Sequence, residues 1–124
     1  ATMDTKAFEI ECVARHIREN WKMKVLVVDV TTFDIDTTKT KVTPLRPQPD
    51  VPREYLLKLN GSEANTDGKN NVEDRREKEK KMSDGLINYC RSLIDADDDD
   101  LFSGIIGIGG SCGTAIITPA MRFL

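Results

Sequence analysis

The sequence predicts an incomplete α/β domain of the Rossmann-like kind, with a parallel sheet flanked by helices. Three observations predict it. Two apolar, β-branched runs, Lys24–Val30 and Leu101–Ile108, do not alternate polar with apolar residues, which is the pattern of strands buried on both faces. Stretches with helical periodicity precede, separate and follow them. A glycine-rich turn joins the second run to the last helix, at the edge where open α/β sheets hold ligands. Two strands cannot bury both faces of a parallel sheet, so a strand before Ala1, which would be the first, and others after Leu124 are expected.

Along the chain, Asp4 and Thr5 are residue types that cap helices, and Ile10, Val13, Ala14, Ile17 and Trp21 recur at helical spacing. A helix over about 5–20 follows. Lys24–Val30 is the first strand of the chain as given, and Asp29 near its C-terminal end is either a ligand-edge residue or a polar cap on a turn. Thr31–Pro52 is rich in Thr, Pro and Asp, with Pro44, Pro47, Pro49 and Pro52 blocking regular pairing. A short helix is expected over 52–59, stopped by Asn60-Gly61. The region of about 38–71 reads as a flexible polar insertion.

Val72–Leu93 reads as one long helix. Its first half, Glu73–Lys81, mixes both charge signs and reads as a solvated extension with weak i,i+4 pairs. Its second half carries an apolar stripe, Met82, Leu86, Tyr89, Cys90 and Leu93, expected to pack on the sheet. Asp97–Asp100 reads as a solvated loop, since adjacent aspartates on a loop point in different directions.

The chain has 124 residues, room for one small domain. A formal net charge of −3 argues against nucleic-acid binding through a basic face. No apolar run approaches the roughly 20 residues of a membrane span, and no signal-peptide pattern opens the chain. A cytoplasmic protein with no membrane contact is expected. Cys12, Cys90 and Cys112 are widely spaced with no Cys-x-x-Cys pair, so neither a disulfide framework nor a zinc site is expected.

The strongest local signal is Gly107-Ile108-Gly109-Gly110-Ser111-Cys112-Gly113-Thr114. Glycines admit close approach of a phosphate, and successive N–H groups at the following helix N-terminus supply donors and a favourable dipole. Ser111 and Thr114 add hydroxyls. The loop is no Walker A motif, because no Gly-Lys-Ser/Thr ends it. Anion binding and a tight strand-to-helix turn both fit this pattern. Cys112 at a helix N-terminus suggests a reactive thiol, yet the one histidine, His16, lies far off in the first helix. Pro119 predicts a late start or a kink in the last helix.

Two blocks together resemble the ATP-binding domain family named after the tomato mosaic virus resistance protein, mostly uncharacterised bacterial, fungal and plant proteins. The first is Thr2-Met3-Asp4-Thr5-Lys6 with the following helix and Lys24–Val30; family members show Gly-Thr-x-Asp-Thr-Lys after their first strand. The second is Gly104–Thr114 followed by Thr118-Pro119-Ala120-Met121-Arg122; the family loop is Gly-Gly-Ser-Gly-Gly/Asn-Thr. Ala1 stands where the family has glycine, and Cys112 replaces a glycine.

The resemblance implies two α/β subdomains in a complete member, this chain holding most of the first and lacking the second. It implies ATP together with magnesium, with Gly109, Gly110, Ser111, Cys112, Gly113 and Thr114 at the phosphates. Asp4, Thr5 and Lys6 lie beside them, and Asp29 at the same edge. It also implies a homodimer for the complete protein. A nucleotide-binding module is the leading expectation; a partner-binding or inhibitory protein regulated by ATP, and a non-catalytic piece of a larger enzyme, are the alternatives. No acid/base pair stands out, so catalysis by these residues themselves is not expected.

Overall fold

A computed structural model describes residues 1–32, 47–61, 72–95 and 103–124. These residues form helix α1 (Met3–His16), a π-helical turn (Ile17–Trp21), and helices α2 (Arg53–Leu59), α3 (Val72–Ile94) and α4 (Ser111–Phe123). The expected parallel sheet is absent from the described residues, which contain no strand. The α/β, Rossmann-like class is thereby overturned in favour of helices packed about extended segments.

The reason lies in how briefly the extended chain is paired. Residues 24–30 make one isolated parallel bridge, Val28 with Val51. Asp29 N–H donates to Val51 O at 2.9 Å and Val51 N–H donates to Val27 O at 3.0 Å. The pairing then stops, because Pro52 has no N–H and α2 begins at Arg53. On the other flank Ala1 makes two bonds, donating to Val28 O at 2.8 Å and accepting from Val30 N–H at 2.9 Å. There Thr2 already caps α1. Residues 104–108 take neither helix nor strand, and among the described residues their one backbone bond is Ile108 O accepting from Thr2 N–H at 3.3 Å. Ile106 is 57% exposed, so the second apolar run is not the buried strand it reads as; its first two residues lie outside the described set.

Burial is supplied by helices instead. Val27 faces α1 and joins Met3, Ala7, Ile10 and Ala14 in one cluster. Val30 and Val51 face the other way, into Leu56 of α2, Met82, Leu86, Tyr89 and Cys90 of α3, and Ile116, Ile117 and Ala120 of α4. The apolar stripe expected on α3 is therefore buried, against α2, α4 and the extended segment.

Helix boundaries follow local chemistry. Gly61 stops α2 in the left-handed region at φ 65, and Lys22 ends the π-helical turn at φ 57. Trp21, at helical spacing with Ile10 and Ala14, is 67% exposed because the π-helical turn rotates it off the buried face. Helix α4 begins at Ser111 and runs through Pro119. The supposed insertion of about 38–71 contains α2, and the rest of it lies largely outside the described residues.

Gly85 marks the closest approach of α2 and α3. A Cβ there would lie 2.4 Å from Leu56 O and 2.9 Å from Leu56 C, both backbone atoms. Gly85→Ala is expected to lower stability by about 1–3 kcal/mol, the range for forced overpacking, although alanine favours helix. A urea titration of the variant checks this; an unchanged midpoint would contradict the close crossing.

Candidate functional site

The N-termini of α1 and α4 meet, although about a hundred residues of sequence separate them. Thr2, the N-cap of α1, donates its N–H to Ile108 O at 3.3 Å, just ahead of the glycine loop. A Cβ on Gly113 would lie 3.2 Å from Thr2 Cγ2. A Cβ on Gly109 would lie 2.9 Å from Gly113 Cα and 3.5 Å from Thr2 Oγ1. The absence of side chains at 109 and 113 is thus what lets the loop, the first turn of α4 and Thr2 touch.

At the start of α4, Gly110 is the N-cap and offers no side-chain cap. Among the described residues, the N–H groups of Ser111, Cys112 and Gly113 have no acceptor; only the fourth, Thr114, is bonded, to Gly110 O at 2.9 Å. Such a helix start presents donors and a positive dipole end to an anion. Gly110 and Ser111 are exposed and Cys112 is half-buried. The Thr114 hydroxyl is turned back onto Gly110 O at 3.1 Å, so it must rotate before it can face a ligand.

The Asp4-Thr5-Lys6 segment forms the first turn of α1. Asp4 and Thr5 are exposed, with Thr5 Oγ1 3.4 Å from Asp4 Oδ1 and 3.5 Å from Thr2 Oγ1. Lys6 departs from helical geometry at φ −123, ψ 17. Its Nζ lies 2.8 Å from Glu9 Oε1, and this hydrogen bond holds the Glu9 carboxyl below its ordinary pKa. The pair is a surface one that a better anion can displace.

Asp29 is buried and works inside the protein. Its Oδ1 accepts from Met3 N–H at 3.3 Å, from Thr31 N–H at 2.9 Å and from the Thr31 hydroxyl at 2.5 Å. It therefore caps the first turn of α1 and fixes that turn to the extended segment, as a carboxylate at a helix N-terminus does. Its contacts position the site from behind.

The residue that sequence reasoning missed is Arg75. Its guanidinium, carried by α3, contacts Cys112 Sγ in the first turn of α4, and its Nε lies 3.1 Å from Glu79 Oε1. The contact with Cys112, and then the one with Glu79, raise the Arg75 pKa further above its ordinary value. A fixed positive charge thus stands at the glycine loop. A signal for it exists: stepping back from Leu93, Tyr89, Leu86 and Met82 at the same three- and four-residue spacing lands on Glu79 and Arg75.

A family model described as the N-terminal domain of an uncharacterised protein family, UPF0261, matches residues 1–124. The chain belongs to that family. No solved structure matches it. As a UPF0261 N-terminal domain it carries a family assignment that states no ligand and makes no link to the tomato mosaic virus resistance family. No helix among the described residues is long and apolar enough to cross a membrane.

Two other expectations can be placed in this UPF0261 domain. His16 lies at the opposite end of α1 from Thr2, roughly 20 Å along the helix, so it is no partner for Cys112. Among the described residues no group of three His, Cys, Asp or Glu side chains could hold a metal ion.

The cysteines differ in environment. All three are free, with Cys12 exposed and Cys90 buried. Burial pushes the Cys90 thiol above its ordinary 9.0 and the neighbouring Tyr89 hydroxyl above its ordinary 10.0. Both groups hold their protons more tightly folded than unfolded, so their contribution is complete below pH 9.0 and is lost as pH rises through the raised values. Urea midpoints are expected to fall with each step in alkaline pH above this point, and Cys90→Ser with Tyr89→Phe should flatten the fall. A slope unchanged in the double variant would contradict this source.

Proposed function

We propose that the paired N-termini of α1 and α4 hold the phosphates of a nucleotide, with ATP the nucleotide suggested by the resemblance to the tomato mosaic virus resistance family. The observation that carries the reading is the approach of Thr2 to the glycine loop, its N–H on Ile108 O at 3.3 Å and its side chain 3.2 Å from where a Cβ at Gly113 would sit, beside N–H groups that have no acceptor among the described residues. The backbone of Gly109, Gly110, Ser111, Cys112 and Gly113 forms the cradle, with the Ser111 hydroxyl on its exposed edge. Arg75 supplies the fork-shaped cation that suits phosphate. Lys6 joins it on leaving Glu9, and Thr5 lines the opposite edge. Asp4 bears the wrong charge for direct phosphate contact and fits a magnesium-bound water better. Asp29 keeps α1 in place. The reading is of a binding module and assigns no reaction.

Thermal melting with and without Mg-ATP tests it. At 100 times the dissociation constant, a ligand adds about 2.7 kcal/mol to stability. For a domain of this size that corresponds to roughly 10 °C in melting temperature. Arg75→Ala should weaken binding about tenfold, the loss of one charge-assisted hydrogen bond. A cooperative melt that millimolar Mg-ATP leaves in place would overturn the proposal.

A further inference from the structure

We draw no further inference here: the strongest candidate, the open apolar cleft between residues 25–28 and 103–106, floored by Ile10 and Ala14 of α1 and by Leu86 and Cys90 of α3, is an unpartnered face, and nothing in the structure shows what covers it.

Discussion

Leu56→Ala is expected to remove about 2–5 kcal/mol of folding stability, the range for deleting a leucine side chain from a tight core. Leu56 is fully buried and sits at the crossing where Gly85 of α3 meets the α2 backbone. Helix α2 has only seven residues, too few to persist without tertiary contacts. Leu56 is its one buried residue, so its loss releases the helix and, just upstream, the Val51 bridge to the extended segment. Against a domain stability of about 5–15 kcal/mol, this is a large fraction. Leu59→Ala, on the same helix but 37% exposed, should change stability by less than about 1 kcal/mol. Urea titrations of the two variants give the comparison, and equal costs would show that Leu56 does not anchor α2.

Gly109→Ala is expected to weaken ATP binding about a hundredfold, two hydrogen bonds' worth of misplaced donors, while stability falls by about 1–3 kcal/mol. The added Cβ would lie 2.9 Å from Gly113 Cα, a backbone atom that no rotamer change can move. Either the loop withdraws from α4 or the Thr2 contact opens, and both displace the N–H groups of the cradle. Gly104→Ala is the matched control. A Cβ there meets nothing within 4 Å, and Gly104 lies on the approach to the loop and outside the cradle. Affinities measured by titration calorimetry should separate the two variants; equal losses, or none, would show that the close approach at 109 does not shape the site.

The helices were legible because their signals are local. The stripe on α3 has a strict three- and four-residue spacing, and Gly61 halts α2 through its own backbone preference. The sheet was misread because an unalternating β-branched run reports burial on two sides without saying what does the burying. Here α1 covers Val27, and α2, α3 and α4 cover Val30, while Pro52 and the early start of α1 leave the segment with a single bridge, Val28 to Val51, among the described residues.

For the site, the sequence reading set Asp4-Thr5-Lys6 beside the glycine loop along a sheet edge. What the structure joins to that loop is Thr2, the N-cap just ahead of them, whose N–H donates to Ile108 O at 3.3 Å through the meeting of two helix ends. Arg75 was missed because its surroundings mix both charge signs, and its i,i+4 pairing with Glu79 matches the Asp74–Lys78 and Glu77–Lys81 pairs beside it. The spacing of the stripe leads back to it, and the fold of α3 over α4 then carries it to Cys112. The capping role of Asp29 depends equally on a long-range contact, to Met3 at the start of the chain.

On the proposed function, phosphates, rather than a base or sugar, are what this site recognises. Titration calorimetry of the folded chain with Mg-ATP, and in parallel with adenosine, tests it most directly. Saturable binding of Mg-ATP with none of adenosine is the predicted result. No binding of ATP at millimolar concentration, or equal binding of adenosine, would contradict it.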